Sequence, residues 1–120
     1  MTIILHERNH LTIAEIQAVG VILSNVQEAL DIMMTADDHG ARKIIFHEEN
    51  VTSDFFNLST GLAGEILQKF TNYMVQIAMV GNFSKYSSVS LQAFILESNR
   101  RNQIFFLPTL DAAIERLWQI

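Results

Sequence analysis

The residues best able to do chemistry fall in two short runs. The first is His47-Glu48-Glu49-Asn50, followed closely by Asp54. An imidazole beside three carboxylates offers a general base, ligands for a cation or an acidic recognition patch. No metal centre and no cofactor are expected there. Consecutive strand residues point to opposite faces, so His47 and Glu48 do not converge on one ion, and the chain has no His-x-x-x-His pair and no cysteine. A plainer reading of the same run is a solvated loop in which Asp54 fixes a turn and Phe55 and Phe56 tuck onto the core.

The second run is Leu58-Ser59-Thr60-Gly61-Leu62-Ala63-Gly64-Glu65. Hydroxyl side chains at a helix start, beside two glycines, leave backbone N–H groups open to an anion and make Ser59 and Thr60 candidate phosphorylation sites. The run is not a P-loop, because the Gly-Lys-Ser/Thr ending is absent, and no glycine brackets Ser59 on both sides as in a hydrolase elbow. The plainer reading makes Ser59 or Thr60 a cap and has Gly61 and Gly64 bring the helix close to the sheet. An enzymatic alternative combines the two runs, with Ser59 as nucleophile, His47 as base and Asp54 or Glu48 as orienter.

The elements that must position these residues follow from hydrophobic pattern. Apolar segments at 2–5 and 11–16 flank the polar stretch Glu7-Arg8-Asn9-His10 and read as an antiparallel hairpin. Ser24 and Gln27 have capping-box spacing, Val26, Ala29, Leu30 and Met33 form a helical stripe, and Gly40 suits a left-handed stop. Ile44-Ile45-Phe46 marks a buried strand over Lys43–His47, followed by a polar loop over 48–57. A second helix is expected from about 59 to 72, burying Leu62, Ile66, Leu67 and Phe70. Residues 74–80 form the next strand, ended by Gly81. Ser87 or Ser88 opens a third helix with Leu91, Phe94 and Ile95 inward. Residues 103–107 form the last strand, stopped by Pro108. Thr109 then caps a helix carrying Leu110, Ala113, Ile114, Leu117 and Trp118. The order β-β-α-β-α-β-α-β-α requires crossovers, hence an α/β domain with a mixed, mostly parallel sheet of about five strands and helices on its faces. Ligands of such sheets gather beyond the carboxyl ends of the parallel strands, which here are 47–50, Gly81-Asn82-Phe83 and Pro108-Thr109.

Composition narrows the partners. The 120 residues include 13 Asp+Glu against eight Lys+Arg, a formal charge of −5, which opposes nucleic-acid binding. Arg42-Lys43 and Arg100-Arg101 are the only basic pairs, with no aromatic residues interleaved. No apolar run approaches the ~18–20 residues of a membrane span. The first residues lack a basic lead and a long apolar region, so a cytoplasmic protein is expected. A mean hydropathy of +0.20 is high for a small chain and points either to a homodimer or to a dense core with short loops.

Several runs together resemble an uncharacterised bacterial family, Domain of Unknown Function 4180. They are 47–50, Asp54-Phe55-Phe56, the stretch from Thr60 to Phe70, Gly81-Asn82-Phe83-Ser84-Lys85-Tyr86 and Glu97-Ser98-Asn99. The family implies no activity. The element order is also similar to STAS domains, the fold of anti-sigma-factor antagonists. In those antagonists an Asp-Ser-x-Gly-x-Gly turn opens the helix after the third strand, and phosphorylation of its serine by a partner kinase controls binding. Ser59 matches that serine and Gly61 the first glycine. Leu58 replaces the aspartate, Ala63 replaces the second glycine, and Gly64 follows one residue late. That likeness implies a non-enzymatic regulatory module binding an unidentified protein partner. Its face would comprise Glu48, Glu49, Asn50, Asp54, Ser59, Thr60, Gly61, Gly64 and Asn82.

Overall fold

Alternating apolar residues build the sheet from its first hairpin. In the computed structural model, which describes residues 1–119, β1 (Thr2–Arg8) pairs antiparallel with β2 (Leu11–Gln17), from Thr2 opposite Gln17 to Arg8 opposite Leu11. The turn is tighter than the sequence suggests. Asn9 and His10 alone make it, both at positive φ (51° and 68°), the backbone that matches the twist of a two-residue hairpin. β3 (Lys43–His47), β4 (Gln76–Val80) and β5 (Ile104–Leu107) then add in parallel, giving the spatial order β1-β2-β3-β4-β5.

The crossovers run through α1 (Val26–Asp38), α2 (Leu62–Asn72) and α3 (Val89–Arg100). Right-handed crossovers that advance the sheet in one direction place every helix on the same face. Ala29, Ile32, Ile66, Phe70, Leu91 and Ile95 accordingly bury with Ala14, Ile16, Ile44, Phe46, Ile77, Met79 and Phe106. The final helix, α4 (Leu110–Trp118), folds back on the other face, where Ala113 and Leu117 cover Ile13, Ile45, Ala78 and Phe105. One helix serves there where three serve opposite.

Capping differs from expectation in two places. α1 is capped by Asn25, whose Oδ1 accepts from Glu28 N at 2.8 Å, while the Glu28 carboxylate reaches back to Ser24 N at 2.8 Å. The capping pair is thus Asn25 and Glu28, one residue later than Ser24/Gln27, with Glu28 reaching one residue past the cap to Ser24 N. α2 starts at Leu62 instead of near Ser59, because Gly61 takes φ +78° and the Asn57 and Thr60 side chains before it bond neighbouring backbone. A Cβ added at Gly61 or Gly64 would meet nothing within 4 Å, so neither glycine lets the helix pack closely; Gly61 supplies the left-handed turn. Ser88 and Thr109 cap α3 and α4 as their spacing predicts, and Gly40 ends α1 at φ +77°.

Candidate functional site

The ends of β3 and β4 lie side by side, with His47 opposite Val80. The expected loop after β3 becomes three short 3₁₀ turns, Glu48–Asn50, Ser53–Phe56 and Leu58–Thr60; a fourth, Phe83–Lys85, follows β4. Aromatic packing joins them into one platform. Phe56 stacks on Tyr86 at 5.2 Å and packs on Phe55 at 5.2 Å and on Phe83 at 5.8 Å; Phe83 in turn meets Phe106 edge-on. Phe55 and Phe56 are therefore the plug that their sequence position suggests.

Glu48 ties the platform electrostatically. Its carboxylate accepts from Tyr86 Oη, from Lys85 Nζ at 2.8 Å and from Asn82 N at 3.2 Å. Burial first, then the hydrogen bond to Glu48 and its charge, push the Tyr86 phenol far above its ordinary range. Asn50 is turned inward as well, donating to Ala18 O at 2.9 Å and to Gly20 O at 2.8 Å.

Other residues of the expected face remain outward. Asp54, Ser59, Thr60, Gly61, Gly64 and Asn82 are exposed, as is Glu49. Ser59 Oγ donates to Asn57 Oδ1 at 2.7 Å, and Asn82 Oδ1 accepts from Ser84 Oγ at 2.7 Å. The Thr60 hydroxyl lies within hydrogen-bond reach of Asp54 O and Asn57 O, and accepts from Leu62 N. Ser59 and His47 do not hydrogen-bond each other.

His47 instead meets a residue that the sequence reading missed. On the α4 face Glu15 pairs across β1–β2 with Ile4 and across β2–β3 with Ile45, so His6 and His47 flank it diagonally. Glu15 is only 2% exposed. Its Oε1 accepts from His6 Nε2 at 2.9 Å, and its Oε2 accepts from His47 Nε2 at 2.7 Å and Gln17 Nε2 at 3.2 Å. Burial by itself would raise this carboxyl. The hydrogen bonds from His47, His6 and Gln17, with the attraction of His47, outweigh it and hold Glu15 below the usual carboxylate range.

Among the described residues no three His, Cys, Asp or Glu side chains are placed to hold a metal ion, and no helix is long and apolar enough to cross a membrane. The family model described as a domain of unknown function, 4180, matches residues 8–117, from the end of β1 into α4. The chain belongs to the Domain of Unknown Function 4180 family. No curated protein matches the chain. For this member of the 4180 family, the chemistry must therefore be argued from its own side chains.

Glu15 gives a first measurable consequence. Because its folded carboxyl gives up its proton at lower pH than in the unfolded chain, the unfolded state binds more protons in that window. The stabilisation is complete above about pH 4.5 and is lost as pH falls through the lower folded value. Urea unfolding of wild type and Glu15→Gln between neutral and acidic pH is expected to show a shallower acid loss in the variant. Equal slopes would mean that the cluster contributes nothing to acid sensitivity.

Proposed function

We propose that this protein is a non-enzymatic regulatory module that binds a protein partner through the platform at the ends of β3 and β4, under control of phosphorylation at Ser59 or Thr60. The observation that carries this reading is the setting of Ser59. Its hydroxyl is exposed and bonded only to the Asn57 side chain, on a surface that Phe56, Phe83, Tyr86 and Glu48 hold rigid without it. Phosphate can therefore be added without unfolding the surface that displays it. It would bring up to about two negative charges next to an acidic neighbourhood that includes Asp54 and Glu65, and so release an acidic partner.

Native mass spectrometry of the protein from its own cells, before and after denaturation, reads partner, phosphate and homodimer together. For the captured partner, Ser59→Glu and Thr60→Glu are expected to weaken binding by about tenfold, the scale of 1.4 kcal/mol. An affinity unchanged in both variants refutes the switch.

A further inference from the structure

The sheet has two edges, and they are finished differently. At β5, Gly81 N donates to Leu107 O and Ile77 N donates to Gln103 O, so Phe106 between them faces outward. Asn99 closes that edge. Its Oδ1 accepts from Phe106 N at 2.7 Å and its Nδ2 donates to Phe106 O at 3.0 Å, as a neighbouring strand would. β5 is also short, only Ile104–Leu107.

β1 has no such cover. The two-residue turn makes Arg8 and Leu11 a hydrogen-bonded pair, so His6, Ile4 and Thr2 bond β2 in the same way. Ile3, Leu5 and Glu7 therefore aim their N–H and C=O groups away from the sheet. No side chain or loop among the described residues bonds those groups as Asn99 bonds Phe106. The strand is seven residues long, in an unbroken one-to-one register, without proline or lysine, so it lacks the usual bars to edge pairing. Its middle is apolar and uncovered: Ile3 and Ile4 are half-buried and Leu5 is 38% exposed.

We propose that β1 is a homodimer interface, pairing antiparallel with β1 of a second copy across a twofold axis and joining the two sheets into one. Outward-facing residues must meet as hydrogen-bonded pairs, which leaves few registers. Centred on Ile4, the pairing sets Ile3 opposite Leu5 of the second copy and Ile4 opposite its own equivalent, apolar on apolar on both faces. Centred on Leu5 or His6, it would set Ile4 opposite His6 or Arg8. Centred on Ile3, it would shorten the overlap from residues 1–7 to 1–5. Any strand could meet the free backbone groups, but the match of Ile3-Ile4-Leu5 to its own reverse favours a second copy. The edge is separated from β3 by β2 and stands whether or not the platform binds a partner.

Sedimentation velocity of the whole chain is expected to show a monomer–dimer equilibrium with a Kd of about 100 μM or tighter. Leu5→Lys sets a charge on each copy beside the axis, at a position exposed in the monomer. Leu5→Pro deletes an N–H that only the dimer uses, at an edge position where proline is tolerated. Each should weaken the dimer about tenfold or more while keeping the wild-type circular dichroism. If the proline variant does not fold, the lysine variant decides. The chain has no cysteine, so single cysteines report the register. Ile4→Cys would face its equivalent in a non-hydrogen-bonded pair, where Cα atoms about 4.5 Å apart suit a disulfide. Under mild oxidation it should cross-link at least about tenfold faster than Leu5→Cys, whose thiols stand two residues out of register. A chain monomeric up to about 0.5 mM overturns the proposal and leaves the edge to a strand of another protein. A dimer unchanged by Leu5→Lys overturns it too, as does Leu5→Cys cross-linking as fast as Ile4→Cys.

Discussion

Asn50→Asp is expected to cost about 3 kcal/mol or more of stability at neutral pH, and more than Asn50→Ala. Asn50 is 1% exposed and closes the connection between β2 and α1 onto the end of β3. Its side chain donates to Ala18 O and Gly20 O, and its own carbonyl accepts from Ile22 N at 2.8 Å and Leu23 N at 3.1 Å. Thr52 N then returns a bond to Leu23 O at 3.0 Å, and Leu23 bridges Val51 in parallel. Alanine removes two hydrogen bonds and should cost about 2 kcal/mol, since the freed carbonyls lie near solvent-exposed Val19 and Gly20. Aspartate does worse because it turns carboxylate lone pairs onto two carbonyl oxygens with no cation to offset them. Urea unfolding of wild type and both variants checks the order, and acidification should bring the aspartate variant back toward the alanine one. If aspartate proves no worse than alanine at neutral pH, the connector is held by its backbone bonds alone.

The fate of Asn50 shows where sequence reading stops. The run that looked most chemical, 47–50, was legible as a strand end because Ile44-Ile45-Phe46 fixes β3 and crossovers fix which end is open. Which of its side chains face outward depends on contacts with segments about thirty residues away, Ala18 and Gly20 for Asn50 and Asn82 to Tyr86 for Glu48. No local pattern encodes those. The start of α2 was misjudged for a local reason. The Asn57 and Thr60 side chains bond nearby backbone and Ser59 Oγ donates to the Asn57 side chain, so these polar residues hold a 3₁₀ turn in competition with the helix instead of capping it.

Glu15 was more legible than it seemed. A carboxylate between Ala14 and Ile16 in an apolar strand needs partners if buried. A hairpin turning at Asn9-His10 sets Ile4 opposite Glu15, and so places His6 diagonal to it. That half of the cluster follows from the turn. The other half requires the parallel register of β2 on β3, which sets Glu15 beside Ile45 and which neither strand's own pattern encodes. The same limit explains why the sequence suggested helices on both faces without showing that three of the four share one.

Gly81→Ala is expected to destabilise the protein by about 1–3 kcal/mol, and the loss should depend on Glu48. The backbone of Gly81 is not in the left-handed region, so conformational strain is not the cause. The cause is contact. A Cβ built on Gly81 falls 2.5 Å from Glu48 Oε1 and 2.6 Å from Glu48 Cβ. The carboxylate end cannot swing away cheaply, because Tyr86, Lys85 and the Asn82 amide all hold it, and the Glu48 Cβ cannot move without the turn that carries it. Glu48→Ala should therefore relieve the clash only in part, since it keeps that Cβ. Glu48→Gly removes both colliding atoms, so Gly81→Ala should cost almost nothing further in that background. Measured by urea unfolding, the cycle with Glu48→Gly should give a coupling of about the full single-mutant cost. Additive losses would show that the two strand ends do not meet through this pair, and that the rigidity of the platform comes from its aromatic packing alone.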